Sequence, residues 1–444
     1  MLLSPPQFID DGLPFATFSK RSRQRRAHLM AQCDGPIVLV APGYGPNQMY
    51  AWAQCHAPVY QDSYILYLTG INQQDIAIIL DPTQQKQHIF LPAYNAKTVF
   101  WEGACFAEGD SESCTILTQL GFDYIHNIRD LKTVISDHHH PTTCWHGLIQ
   151  QQGKKNRPDD HYKLKKSLSR QLGPSFQFKN ICDLSWKHRA SHDAVAIDNI
   201  TTGAQKTADA FLSTLNAFPA PSETAVCGTL IGELLKRTCY GLSFPPIIAK
   251  NANAATLHYT HNSALLDPKD LILMDFGLRW QSMCTDVSRT IPATGCYTDL
   301  QRRLMDIVLT TQLTTMAAVR SGITFNELNT IAWDTMETLL TTHFFNKGGR
   351  IKRAYQRQPH NIGHLLGIQV HDGDPNRSYR DRPIPCHAII TIEPGLYGTV
   401  EWKGDTYTYG IRIEDNLLVT DQGYQNLTQN IPKTCDDIEA IFRD

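Results

Sequence analysis

Five side chains of metal-binding type are spread over the last 170 or so residues, each inside its own short, strand-like segment. They are Asp275 in LILMDFG, Asp286 in CTDVSRT, His364 in PHNIGHLLG, Glu393 in TIEPGLYG and Glu414 in GIRIEDN. Charged groups inside apolar runs are driven inward, where each needs a partner or loses its charge. Four carboxylates and one imidazole form a hard, oxygen-rich set, which suits a pair of divalent cations better than a single zinc ion.

Each segment refines this expectation. Asp275 ends a buried-strand signature, and Asp286 opens another. A hairpin turning at Trp280 and Gln281 would set the two aspartates directly opposite each other, although Trp-Gln is poor two-residue turn chemistry and a longer loop is compatible. Like charges directly opposite repel, and a shared cation would remove that cost. Two unrelated, solvent-facing aspartates are the alternative. The segment from Pro359 to Asp372 holds His360, His364 and His371 in an otherwise apolar run. The spacing of His360 and His364 is that of a zincin helix, but Asn361 stands where the glutamate is required. Gly363 and Gly367 also disfavour a helix, so a turn leading into a strand is expected. Glu393 is followed at once by Pro394 and Gly395, which end its strand. Alternation puts Arg412 and Glu414 on one face, where an intrastrand ion pair is the alternative to ligation.

The chain has 444 residues, too many for one compact core, so two domains are expected. A net charge of −2 gives no reason to expect nucleic acid or an acidic membrane as partner. No apolar run is long enough for a membrane span, and the N-terminus lacks the pattern of a secretory signal. The twelve cysteines include no CxxC pair, so free thiols are expected. Residues 7–32 hold a basic stretch that reads as the solvated face of a first helix. Apolar runs beginning at Pro36, Tyr64, Ile76 and His88 read as strands alternating with helices, an α/β N-terminal domain. The run Asp137 to Pro141 (DHHHP) has no companion ligands at clear spacing and reads as a polar surface loop. The lysine-rich stretch 151–180 is the expected interdomain connection, giving domains 1–180 and 181–444. Helices are expected over 194–218, from Glu223, over 299–320 and over 325–342. Interleaved with the ligand-bearing strands, they make the second domain α+β.

Taken together, these motifs resemble the proline-specific pita-bread metallopeptidases, most closely the aminopeptidase P family. The C-terminal part carries LHYT (257–260), the Asp275/Asp286 pair, PHNIGHLLGIQVHD, TIEPGLY and GIRIEDNLLVT in family order. DSYILYLTG (62–70) is similar to the family's N-domain signature, although Tyr60 and Gln61 stand where an arginine is usual. The resemblance implies an N-terminal α/β domain and a pita-bread catalytic domain. It implies that Asp275 binds one metal, that His364 and Glu393 bind the other, and that Asp286 and Glu414 bridge both. Glu393 would also be the general base, and His371 would stabilise the oxyanion. His258 and His360 would contact substrate, and Arg412 would hold the bridging carboxylates. Manganese is the family's usual metal, and a dimer or tetramer its usual assembly.

The expected activity is therefore metal-assisted hydrolysis, releasing the first residue from peptides with proline second, in the cytoplasm. A prolidase restricted to Xaa-Pro dipeptides is the near alternative. Methionine aminopeptidase fits less well, because it lacks so large an N-terminal domain. A non-catalytic scaffold of the same fold is disfavoured by the survival of all five ligands.

Overall fold

The computed structural model describes residues 8–41, 61–149, 160–354, 357–373 and 377–443. The chain divides into two compact units between His188 and Arg189. Residues 160–180 of the stretch expected as the connection fold as a helix and a strand of the first unit.

The first unit is built on strands β1 (Ile37–Val40), β2 (Ala77–Asp81), β3 (Lys86–Leu91), β4 (Tyr124–Asn127), β5 (Cys144–Gly147) and β6 (Gln177–Asn180). They form one mixed sheet in the order β4-β3-β2-β1-β5-β6. Strands β1, β2 and β3 pair antiparallel, whereas β3–β4, β1–β5 and β5–β6 are parallel. Helices α1 (Phe15–Met30), α2 (Ser63–Thr69), α3 (Ala96–Glu102), α4 (Ser111–Leu120), α5 (Leu131–Asp137), α6 (Asp160–Leu172) and α7 (Cys182–Ala190) complete it. In β1, Ile37 and Leu39 join Phe18, Leu29 and Leu117 in one core, while Val38 and Val40 join Trp145, Leu164 and Leu168 in another. Apolar burial on both faces is what a sheet covered by helices on both sides requires.

Two expectations fail here. Residues 63–69, read as strand, form α2. A short apolar run does not by itself separate helix from strand, and its caps decide the matter. The Asp62 carboxylate accepts from the backbone N–H of Tyr64 and Ile65, and Gly70 closes the helix at φ 71°. The basic face of α1 is also not wholly solvated. Arg26 is fully buried, donating to the carbonyls of Leu68 and Leu120 and to the Ser22 hydroxyl. Burial, then the neighbouring Arg23, pulls its pKa down to about 9.

The second unit contains β7 (Ile247–Lys250), β8 (Leu271–Phe276), β9 (Arg279–Trp280), β10 (Met283–Cys284), β11 (Val287–Pro292), β12 (Arg350–Arg353), β13 (Ile389–Ile392), β14 (Gly395–Trp402), β15 (Asp405–Arg412), β16 (Asp415–Val419) and β17 (Tyr424–Asn426). Its helices are α8 (Ala194–Leu215), α9 (Glu223–Leu235), α10 (Asp299–Ala317), α11 (Phe325–His343) and α12 (Cys435–Ile441). Capping boxes start α10 (Thr298 with Gln301) and α11 (Thr324 with Glu327), as the T-x-x-Q and T-x-x-E spacings require. The helices bury Phe211, Leu230, Leu304, Val308 and Met336 against Met274, Phe276, Ile291 and Ile411 of the strands. Phe211 and Phe276 stack with ring centroids 5.3 Å apart. The strands lie in three-stranded sheets ordered β11-β8-β7, β12-β14-β15 and β13-β16-β17, with β9 and β10 paired by themselves. No described helix is long and apolar enough to cross a membrane.

Candidate metal centre

Strand β8 is central in its sheet, which puts Asp275 between Ser288 on β11 and Ile247 on β7. The hairpin turns one residue later than expected, because Met283 pairs with Trp280 and Gln281 supplies the turn at φ 52°. Asp275 therefore pairs with Ser288, and the same register carries Asp286 across from Gly277. The two aspartates are diagonal neighbours on one face rather than direct opposites. A Cβ on Gly277 would stand 1.9 Å from the Thr285 carbonyl oxygen, so only glycine fits there.

The directly opposed acids are the glutamates. Strand β13 pairs Ile392 with Asp415, and β14 pairs Gly395 with Arg412. That common register brings Glu393 opposite Glu414 at the break where β13 gives way to β14 and β15 to β16. Two carboxylates facing each other are destabilising without a cation between them.

His364 reaches the same place on an irregular segment laid along the edge of β13. Its N–H donates to Thr391 Oγ1, its carbonyl accepts from Thr391 N–H, and Leu365 bridges Ile390. The expected strand is thus reduced to a single bridge. Gly363 permits the approach, since a Cβ would lie 1.9 Å from the Thr391 carbonyl oxygen. His364 Nδ1 is 3.1 Å from the Leu365 carbonyl, which fixes the proton there and leaves the Nε2 lone pair facing the acids.

His364 Nε2 lies 3.5 Å from Asp286 Oδ2 and 3.7 Å from Glu393 Oε1. Donor atoms of Asp286, His364 and Glu414 all fall within 4.8 Å of one another. These separations are too long for hydrogen bonds and suit ligands around shared ions. Among the described residues, Arg412 is the guanidinium that reaches these side chains. It donates to Asp275 Oδ2, to Tyr397 Oη at 3.0 Å and to Ser288 Oγ at 2.8 Å. Ser288 Oγ in turn donates to Glu414 Oε2 at 2.9 Å. Arg412 thus grips Asp275 directly and Glu414 through a serine; it does not hold both bridging candidates itself.

The charge balance is unfavourable as it stands. Four carboxyl groups face one guanidinium among the described residues, so with all four ionised negative charge would exceed positive by three. Asp275 Oδ1 and Glu414 Oε1 are buried without a hydrogen-bond partner. Burial pushes the Asp286 and Glu414 carboxyls well above the ordinary range, and the neighbouring acids push them further. Burial raises Glu393 to about 7, with His364 and Arg412 opposing and Asp286 and Asp275 adding. Orphaned oxygens and strongly raised carboxyls are the signature of missing positive charge, so these residues fit a divalent metal pair.

The remaining expected residues are distributed unevenly. His360 is close: its Nδ1 is 3.9 Å from Glu393 Oε2, and its Nε2 is 3.1 Å from Tyr397 Oη. Burial, then Arg412, lowers its pKa to about 4, so it is neutral. The His371 ring packs edge-on against His364 at 4.4 Å between centroids. Its loop is closed by Asp372, which accepts from Ile368 N–H and Arg189 Nε. His258 is exposed and forms no hydrogen bond or ion pair with the ligand residues.

Sequence reasoning missed Tyr397, Ser288 and Asn416. Asn416 clamps the Asp286 backbone from both sides, accepting from its N–H and donating to its carbonyl. The only signal for these residues was their place inside the ligand motifs.

Comparison with known proteins agrees with this site. Residues 198–421 match metallopeptidase family M24, and residues 22–144 match the aminopeptidase P N-terminal domain. The mitochondrial intermediate cleaving peptidase 55 of Arabidopsis thaliana is 28% identical over 387 residues, covering 86% of this chain and 75% of that protein. A probable Xaa-Pro aminopeptidase of Penicillium rubens is 25% identical, covering 86% and 88%. Aminopeptidase P from E. coli with the inhibitor Pro-Leu superposes with a TM-score of 0.79 at 21% identity, covering 96% of this chain and 98% of that one. The Icp55 structure from Saccharomyces cerevisiae gives 0.78 at 22%, covering 95% and 97%. The chain therefore belongs to metallopeptidase family M24 and, with its matching N-terminal domain, to the aminopeptidase P family within it.

Proposed function

We propose that this protein is a dinuclear-metal aminopeptidase that hydrolyses the bond between an N-terminal residue and a following proline. The observation that carries the reading is the convergence of five ligand side chains, short of positive charge, in a chain with both domains of the aminopeptidase P family. Relatives named probable Xaa-Pro aminopeptidases match over most of its length.

In this reading Asp275 serves one ion, His364 and Glu393 the other, and Asp286 and Glu414 both. The oxygen-rich donors favour manganese over zinc. Such a pair, when bound, polarises a peptide carbonyl and acidifies water. Glu393 takes and returns the proton. His371 stabilises the developing oxyanion. His360, held neutral, and His258 face the substrate around the scissile bond. Arg412 orients Asp275, and Glu414 through Ser288. The nitrogen of an Xaa-Pro bond has no N–H, so peptidases that recognise that group pass it by.

The test uses metal-stripped protein supplied with manganese and three peptides: an Xaa-Pro dipeptide, an Xaa-Pro tetrapeptide, and the same tetrapeptide without proline. Release of the first residue from the Xaa-Pro tetrapeptide alone or with the dipeptide supports the proposal. Cleavage of the dipeptide only makes the enzyme a prolidase. Preference for the proline-free peptide favours a second reading, a peptidase acting on cleavage intermediates, which the likeness to the Arabidopsis protein motivates. We also propose a homo-oligomer, checked by light scattering. A cytoplasmic location, consistent with the free thiols of all eleven described cysteines, is checked by cell fractionation.

A further inference from the structure

The histidine run expected as a surface loop does lie at the surface, but it meets two histidines that the sequence leaves far away. His138 caps the C-terminus of α5 and is exposed. His88 belongs to β3 and His126 to the edge strand β4, where they are diagonal neighbours on one face, because His88 pairs with Tyr124 and Phe90 with His126. Nδ1 of His88 lies 3.0 Å from Nε2 of His126. Two imidazole nitrogens on one zinc-class ion, each about 2.05 Å from it, stand roughly 2.9 Å apart at a right angle and roughly 3.4 Å apart at the tetrahedral angle. The observed separation falls inside that interval.

We propose that His88, His126 and His138 hold a structural divalent transition-metal ion of the zinc class in the N-terminal unit. An ion here would tie the edge strand β4 and the end of α5 to β3. The His138 ring is perpendicular to that of His88, with centroids 5.7 Å apart. Its Nδ1 lies 2.7 Å from the Val134 carbonyl, to which it donates. Among the described residues only the Asp286 group already brings three donor atoms within 4.8 Å. Seating His138 on the ion takes a rotation of its side chain that gives up the Val134 bond, which its exposure allows. The rest of the setting is prepared. Tyr124 stacks on His88 at 4.8 Å and Phe90 on His126 at 4.7 Å, which holds both rings in place. The nearby Lys86 ammonium is paired with Asp123 at 3.0 Å. Burial, then the two other histidines, lowers His88 to about 4, and burial lowers His126, so both offer lone pairs at neutral pH. A proton shared between His88 and His126 alone would give the same 3.0 Å separation without using His138.

The experiment compares the metal-stripped full chain with its His126→Asn and His138→Ala variants, each dialysed against zinc with a weak competing chelator and then assayed for zinc and for thermal unfolding. The wild type is expected to keep one more zinc per chain than either variant, and zinc should raise its unfolding temperature more. His138 is exposed, so its truncation does not endanger the fold. Equal zinc content in all three proteins overturns the proposal. A loss confined to His126→Asn also overturns it, because His138 would then be no ligand.

Discussion

Glu223→Gln removes one negative charge and no volume, and it should cost about 3 kcal/mol. Glu223 is fully buried at the first position of α9. Its Oε1 accepts from Lys250 N–H at 2.8 Å and Asn253 Nδ2 at 2.9 Å. Its Oε2 accepts from Tyr259 Oη at 2.8 Å and Ala264 N–H at 2.9 Å. An amide nitrogen in the Oε1 position would face two donors. In the Oε2 position it would face Tyr259, which can turn to accept, and the Ala264 N–H, which cannot. The better choice still strands one buried donor, at roughly 1–3 kcal/mol, and weakens bonds that a charge had strengthened. Loss of a charge at a helix N-terminus adds about 0.3–1 kcal/mol. Urea unfolding of the metal-loaded full chain reads the sum: with a slope of about 3 kcal/mol/M the midpoint should fall by roughly 1 M. The four bonds also hold both ends of residues 250–264, which carry His258, so kcat/KM on an Xaa-Pro peptide should fall with stability. A midpoint unchanged within about 0.2 M would refute the claim that the clamp depends on a carboxylate.

Glu393→Gln should lower kcat by about 10²–10⁴ while circular dichroism stays near wild type; near-normal turnover in the fully metallated variant would remove Glu393 from the role of base. The raised carboxyls also set a pH dependence. Glu393 titrates near 7 in the metal-free fold, against about 4.3 in the unfolded chain. Between those values the metal-free fold holds a proton that the unfolded chain has lost, so its stability falls as pH rises through the window. Metal must displace that proton, so manganese affinity should climb with pH up to about 7, with proton release in calorimetry; affinity flat from pH 5 to 7 would contradict this.

The five candidate ligands were legible because each is a polar, ionisable group set in an apolar run, a conflict that folding alone does not resolve. The Asp275–Asp286 register was not legible. It depends on Gln281 accepting φ 52°, which no turn preference announces; moving the turn by one residue shifts the partner of Asp275 from Asp286 to Ser288. The run at 63–69 was misread because apolar composition dominates its pattern, whereas Asp62 and Gly70 determine its conformation. Ser288, Asn416 and Thr391 are small neutral residues whose chemistry exists only through their partners. His88 and His126 were invisible for a related reason: a parallel strand pair joins them across 38 residues.

Glu414 and its neighbour Asp415 show what separates a candidate ligand from an anchor. Both are acids, both are buried, and they are adjacent in the chain. Successive strand residues point to opposite sides. On its side Asp415 receives Arg289 at 2.7 Å, Lys433, and hydrogen bonds from Gln312 and Thr428. Burial would raise its pKa, but Arg289 and Lys433 outweigh burial and hold it at about 2. Glu414 faces three other acids, shares Arg412 only through Ser288, and keeps one oxygen without a partner. Acidity and burial are the same for the two; the supply of cations differs. The same chain that gives Asp415 two cations within a few ångströms leaves Asp275, Asp286, Glu393 and Glu414 one guanidinium among them. Since an uncompensated buried charge costs several kcal/mol, that imbalance is tolerable only if positive charge arrives from outside the chain. These residues therefore call for cations from outside the chain, in agreement with the family match.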